Sequence, residues 1–219
     1  MADGRLYIGT RRYSSWSLRG WLAVRLAGLD VEEVVIPLSG HGDTAAVKRL
    51  SPSGLVPYLE HGANRVWETL AICEYCAEIA PALWPSEPAA RAQARSIAAE
   101  MHAGFSELRR ALPMNLGRTR PGGARTAGVL ADIARIETIW RETREKFGGG
   151  PFLFGPAFTA ADAMYAPVVA RFLAYRPEIS AASTDYCAAV RAHPLVARWY
   201  EQAAQEPPEW RIAAYEEAP

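Results

Sequence analysis

Apolar and polar positions change period several times along this 219-residue chain. Residues 5–9 form a short Leu/Tyr/Ile run that reads as a strand. From Trp16 onward, Leu18, Trp21, Leu22 and Leu26 recur at three- and four-residue spacing, which predicts a helix. Gly28 stands where a left-handed C-cap residue belongs. Residues 33–36 predict a second strand, ended by Pro37. Strand, helix, strand within about 30 residues is a βαβ unit with parallel strands. A polar loop at 39–43 and a short helix at 44–50 follow. Residues 51–60 form a turn leading into a strand, and Pro57 within it marks an edge, a bulge or a cis bond. A hairpin turn at 61–64 and a returning strand at 65–67 precede a helix beginning at Glu68-Thr69.

Beyond residue 80 the texture changes. Residues 81–88 carry Pro81, Pro85 and Pro88 and read as a linker. Residues 89–112 have helical periodicity until Pro113 stops them, and a second long helix is predicted from about 125 to 147. Phe158-Thr159-Ala160-Ala161-Asp162 carries the capping-box pattern ahead of an apolar run to 175. Two shorter helices, at 185–192 and 195–205, and an acidic tail complete the pattern. The organisation is a mixed α/β domain (1–80), a linker (81–88) and an all-helical domain (89–219).

Composition narrows the function. Twenty-four Lys and Arg balance twenty-four Asp and Glu, so there is none of the basic excess that nucleic acid or a membrane surface calls for. No apolar run approaches the ~20 residues that span a bilayer. The N-terminus enters a strand pattern directly, so no signal peptide is expected. Three cysteines, Cys73, Cys76 and Cys187, predict a reducing cytoplasm and not a disulfide scaffold. Cys73 and Cys76 fall mid-helix among apolar neighbours with no second Cys/His pair, so they predict buried hydrophobes and no metal site.

The most suggestive chemistry lies at Tyr13-Ser14-Ser15-Trp16-Ser17-Leu18-Arg19. Ser14 and Ser15 are good helix N-caps, and a helix start favours an anion through its free N–H groups and its dipole. A thiolate is such an anion. The stretch has hydroxyls and no cysteine, so the thiolate must arrive with a substrate. No histidine/carboxylate base adjoins the serines, which leaves a serine-hydrolase mechanism without support.

Four motifs in order then carry a resemblance: Ser14-Ser15-Trp16-Ser17-Leu18-Arg19, Val56-Pro57-Tyr58-Leu59, Trp67-Glu68-Thr69-Leu70-Ala71-Ile72 and Phe158-Thr159-Ala160-Ala161-Asp162. Together they resemble the glutathione transferase superfamily over nearly the whole chain, and look most like its serine-type, zeta-like and bacterial branches. The resemblance implies an α/β thioredoxin-like N-terminal domain plus an all-α C-terminal helical domain, with glutathione as co-substrate and no metal. Ser14, with Ser15 second, would hydrogen-bond the glutathione sulfur and favour the thiolate, aided by the cations Arg11, Arg12 and Arg19. A cis Val56–Pro57 bond would present the Val56 backbone to the cysteinyl part of the tripeptide. Glu68 and Thr69 would hold its γ-glutamyl end, and His41 or Lys48 its glycyl carboxylate. Tyr13, Trp16, Met101, His102, Phe105 and Met114 would line the acceptor pocket between the domains. Thr159 and Asp162 would serve folding. At the positions of the reactive pair in thioredoxins this chain has Ser14 and Ser17, so disulfide chemistry is not expected.

Zeta members that isomerise maleylacetoacetate carry a cysteine directly after the two serines, and here Trp16 stands in its place. The implied function is thus conjugation of glutathione to a small electrophile, or reduction with it, by a cytoplasmic homodimer. A glutathione-dependent isomerase and a non-catalytic binding protein of the same fold are the alternatives.

Overall fold

The computed structural model describes residues 2–40, 43–123 and 125–217. Strands β1 (Gly4–Gly9), β2 (Glu32–Ile36), β3 (Tyr58–His61) and β4 (Asn64–Trp67) form one sheet in the order β2-β1-β3-β4. β1 pairs with β2 in parallel and with β3 antiparallel, and β3 and β4 form a hairpin. Helix α1 (Ser15–Leu26) makes the crossover between β1 and β2, and Gly28 ends it with φ +71°. Short α2 (Ala45–Leu50) covers a small cluster of Tyr7, Ile36, Val47 and Tyr58. Helix α3 (Thr69–Ile79) packs beside α1.

The helical half comprises α4 (Pro88–Ala103), α5 (Ser106–Ala111), α6 (Ala127–Phe147), α7 (Ala160–Tyr175), α8 (Ala181–Ala192), α9 (Pro194–Ala204) and α10 (Ala213–Glu217). One continuous core joins the halves, running from Leu6 and Trp21 to Trp140 and Trp199. Its centre is α1, whose residues Ser17 through Val24 are all buried. One side of α1 meets α3 and the other meets α7. A helix hydrophobic all round is a core helix. At Gly20 a Cβ would lie 2.7 Å from Cγ of Pro57, so the missing side chain lets α1 close on the cis Val56–Pro57 bond.

Two predicted elements differ. The helix read over 89–112 breaks at Gly104 and Phe105, where Phe105 turns left-handed (φ +58°) and its side chain is buried. A Cβ at Gly104 would meet the Glu100 carbonyl oxygen at 2.8 Å, so the chain leaves α4 there and starts α5 in a new direction. The acidic tail, for which the pattern predicts no element, forms α10 against the α/β half: Ile212 N donates to Oη of Tyr13 (3.3 Å), which donates to Glu216 (2.5 Å).

The capping box at α7 forms as expected. The wholly buried Asp162 carboxylate accepts from Thr159 N (2.9 Å), Thr159 Oγ1 (3.0 Å), Leu153 N (3.0 Å) and Tyr186 Oη (3.0 Å). Burial pushes this carboxyl above its ordinary range, against the pull of those donors. Replacing Asp162 by Ala strands several buried donors at ~1–3 kcal/mol each. We expect Asp162→Ala to lower unfolding free energy by about 3 kcal/mol or more, with Asp162→Asn, which keeps one acceptor, losing less. Urea denaturation checks this; a loss under about 1 kcal/mol would contradict the assignment.

Candidate active site

The first turn of α1 opens onto a cavity of about 630 Å³ between the two halves. Ser14 is the N-cap: its Oγ accepts from Ser17 N (3.3 Å) and donates to Ser17 Oγ (2.8 Å). Ser17 Oγ in turn accepts from Gly9 N (3.0 Å), which pins the start of α1 to the end of β1. Both Ser14 and Ser15 line the cavity, and the Ser15 hydroxyl makes no hydrogen bond to the described residues. A cap oxygen that accepts from the backbone still has its own proton to give. A thiolate would take that proton in preference to a neutral hydroxyl, because charge-assisted bonds are about twice as strong.

Gly54, Leu55 and Val56 line the same cavity as the serines. Val56 precedes β3, and neither its N–H nor its C=O pairs with backbone among the described residues. Pro57 follows in the cis form and is buried behind it. The pair thus offers one unpaired donor and one acceptor, the pattern that captures an extended peptide.

Glu68 and Thr69 sit outside the cavity walls, linked to them by Trp16. Thr69 is buried, and its hydroxyl donates to the Trp16 carbonyl (3.3 Å). Glu68 is exposed, has an unusual backbone (φ +68°), and lies 3.7 Å from Nε2 of His102. Backbone strain of this kind is typically stored at functional positions. Burial lowers the His102 pKa against the pull of Glu68, so at neutral pH this imidazole stays largely uncharged and leaves Glu68 free to meet a cation.

Several expected site residues are placed elsewhere. Arg19 is buried, not at the cavity: its Nε donates to the Met164 carbonyl of α7 (2.7 Å) and its guanidinium stacks on Trp16 at 4.9 Å. Arg11 pairs with Glu33, and Arg12 faces Glu216 at 4.0 Å, so neither is an uncompensated cation beside the serines. Lys48 is engaged by Asp43 on the surface and does not line the cavity. His41 lies outside the described residues. Met101 is wholly buried core, and His102 and Phe105 also stand outside the cavity wall. Tyr13, Trp16 and Met114 do line it.

The cavity's principal charges were not anticipated from the sequence. Arg109, Arg110 and Arg171 line it, and none of its described lining residues is acidic. Arg109 reaches back to cap the carbonyls of Met101 and His102 (3.1 Å to the latter), and its guanidinium also lies over the Trp16 ring at 4.8 Å. Arg171 donates from Nε to Leu112 O (2.8 Å) and from Nη1 to Pro167 O (2.9 Å), leaving Nη2 with no partner among the described residues. Burial pulls the Arg171 pKa down to about 10, with the charge of Arg109 adding to the effect; burial also lowers Arg109. A lone cation inside the apolar run Val168-Val169-Ala170-Arg171-Phe172 was the one visible hint. Ala214 and Tyr215 of α10 supply another part of the wall, from a tail whose pattern gave no sign of docking.

The cysteines are buried and free. Burial pushes the thiols of Cys76 and Cys187 up to about 12, so they are inert at neutral pH. No group of residues able to hold a metal ion occurs among the described residues, and no helix there is long and apolar enough to cross a membrane.

Comparison with known proteins accords with this geometry. Residues 13–79 match the model of the glutathione S-transferase N-terminal domain, and residues 88–202 that of the C-terminal domain. A probable maleylacetoacetate isomerase of Caenorhabditis elegans is 28% identical over 167 residues, covering 75% of this chain and 76% of the relative. The maleylacetoacetate isomerase of Rattus norvegicus is 27% identical over 181 residues, covering 80% and 81%. Among solved structures, a glutathione transferase homolog from Burkholderia gl BGR1 with bound glutathione superposes with a TM-score of 0.69 at 22% identity, covering 93% of this chain and all of that one. The maleylacetoacetate isomerase of Anaeromyxobacter dehalogenans 2CP-1, with glutathione in its active site, gives 0.64 at 23% identity, with 95% and 99% covered. The two domain models together span most of the sequence, and the chain belongs to the glutathione S-transferase family.

Proposed function

We propose that this protein is a glutathione-dependent enzyme that adds the glutathione thiolate to a small electrophile bearing a carboxylate. The observation that carries the reading is a cavity lined both by serine hydroxyls at a helix N-terminus and by Arg109 and Arg171, which have no ion-pair partner among the described residues, while Arg110 beside them pairs with Glu107. Buried cations without acidic partners favour an anionic ligand, because the ligand repays part of their desolvation.

Each step follows from residues on the wall and, for the γ-glutamyl end, from Glu68 and Thr69 just beyond it. The Val56 backbone and the Glu68–Thr69 pair hold the tripeptide, with the Glu68 carboxylate meeting its ammonium group. The Ser14 hydroxyl, seconded by Ser15, donates to the sulfur, and the α1 dipole adds to the preference for thiolate over thiol. The thiol proton leaves to solvent. The thiolate attacks the electrophilic carbon, a carbon–sulfur bond forms, and the leaving group departs with the bonding pair. Arg109 and Arg171 hold the substrate carboxylate, so orientation and electrostatics supply the catalysis. A cytoplasmic homodimer is the accompanying proposal.

The curated relatives named as maleylacetoacetate isomerases and the cationic wall favour a second reading. There the thiolate adds to a cis double bond conjugated to a carbonyl, the resulting single bond rotates, and elimination regenerates the thiolate. Recovery of all the glutathione from an assay with a maleyl-type monoacid distinguishes this from conjugation.

Ser14→Ala is expected to cut turnover at least about tenfold while glutathione affinity by calorimetry changes little, and to lose about 1 kcal/mol of stability with the cap. A mutant with the wild-type rate removes Ser14 from the chemistry. For the arginine wall, a 2-halo carboxylic acid should be turned over better than its neutral amide, each measured against its own uncatalysed reaction with glutathione. Arg171→Gln should lower kcat/KM for the acid about 10–100-fold, the worth of a hydrogen bond to a charged group, and lower it much less for the amide. Equal losses on both substrates would assign Arg171 to packing alone.

A further inference from the structure

The turn that delivers Ser14 to the cavity is held from the opposite half of the molecule. Residues 10–13 connect β1 to α1, and within the turn Tyr13 N and Ser14 N both donate to Thr10 O (3.2 and 2.9 Å). The N–H groups of Arg11 and Arg12 point away from it and converge on one carboxylate: Arg11 N donates to Oε1 of Glu206 (2.6 Å) and Arg12 N to Oε2 (3.2 Å). Successive N–H groups of this kind form an anion-binding nest. The carbonyls of the same two residues are also taken by the helical half, Arg11 O by Nε1 of Trp199 (3.2 Å) and Arg12 O by Leu116 N (3.1 Å). Glu206 follows α9 and precedes Pro207, which cannot continue that helix; Pro208 then opens a single 3-10 turn over Pro208–Trp210.

We infer that Glu206 is a positioning residue for thiol activation, its carboxylate seating the turn that carries Ser14 and fixing it against the wall that holds the acceptor. This rests on the reading that Ser14 activates a glutathione thiol. Glu206 touches neither substrate; it acts through the backbone at 11 and 12, two residues from the serine. β1 and α1 are each anchored in the core independently, by sheet pairing and by the burial of residues 17–24. Loss of the carboxylate therefore loosens the turn and leaves its ends in place. Glutathione contacts at Val56, Glu68 and Thr69 lie outside the turn, so affinity and turnover separate.

The test compares wild type, Ser14→Ala, Glu206→Gln and Trp199→Phe. An amide at 206 offers one acceptor and turns its NH₂ on the second N–H. Glu206→Gln is expected to lower kcat about tenfold or more with glutathione affinity held within about threefold. It should also raise the pKa of the bound glutathione thiol toward that of the free tripeptide, read from thiolate ultraviolet absorbance against pH. Trp199→Phe, which removes one hydrogen bond from the same turn and keeps an aromatic ring, should move the same pKa in the same direction by less. Should Glu206→Gln not fold, the Trp199→Phe value decides. A bound-thiol pKa lowered in wild type, lost in Ser14→Ala and retained in the turn variants overturns the role of Glu206 alone. A wild-type thiol pKa equal to that of free glutathione overturns the activation reading, and this inference with it.

Discussion

The middle two turns of helix α1 have no solvent face, and the rest of the molecule is arranged around that constraint. Every residue from Ser17 to Val24 is buried, between α3 on one side and α7 on the other. A half-exposed helix can rotate to trade one contact for water, whereas this one has every direction already taken. Its attitude is set by a hydroxyl bridge to Gly9, by Gly20 closing on Pro57 and by Arg19 donating to the Met164 carbonyl of α7. Its N-terminus, where Ser15 N, Ser17 N and Leu18 N are paired within the turn and Trp16 N has no partner among the described residues, lies at the cavity between the halves. Rigid support of this kind keeps donors aimed without reorganisation when charge develops.

The arginines divide into two populations with different electrostatic consequences. Arg11 and Arg25 both pair with Glu33, so their charge is cancelled within the fold. Arg19, Arg109 and Arg171 bond instead to main-chain carbonyls of Met164, Met101 and His102, and Leu112 and Pro167. A carbonyl satisfies an N–H group without neutralising the guanidinium. The second group therefore carries its positive charge to the cavity or just behind it, where burial lowers the pKa of all three. Tertiary packing elsewhere sustains that unfavourable charge, and a site poised for an anion results.

What could be read from the sequence follows the range of the interaction. The Ser14 cap, the Gly28 terminus and the Thr159–Asp162 box are contacts between residues three or four apart, and residue type at that spacing reveals them. The sheet followed from short apolar runs and a hairpin turn. Arg19 was misjudged because proximity in sequence to Ser14 suggested proximity to the sulfur. Five residues along a helix is about 7.5 Å of rise, and its side chain faces α7. The break at Gly104–Phe105 left no trace in the period of the apolar residues, so Arg109 could not be aimed. Glu206 and Tyr215 meet the N-terminal turn and the cavity from about 200 residues away in sequence, a distance over which periodicity carries no information.

Trp16 gains a physical role from this arrangement. Its indole lies 4.9 Å from the Arg19 guanidinium and 4.8 Å from that of Arg109, two cations close enough for the charge of Arg109 to lower the pKa of Arg19. Contact of both guanidiniums with the ring's quadrupole offsets part of their mutual repulsion and holds Arg109 at the cavity wall. On the proposed chemistry two anions must meet, a thiolate and a substrate carboxylate, and their repulsion at 4 Å is about 4 kcal/mol at an effective dielectric of 20. Cations in the same cavity as the helix N-terminus offset that term at the point of encounter. The tryptophan that stands in place of cysteine here thus acts on the acceptor's charge through Arg109, with no need to touch the sulfur itself.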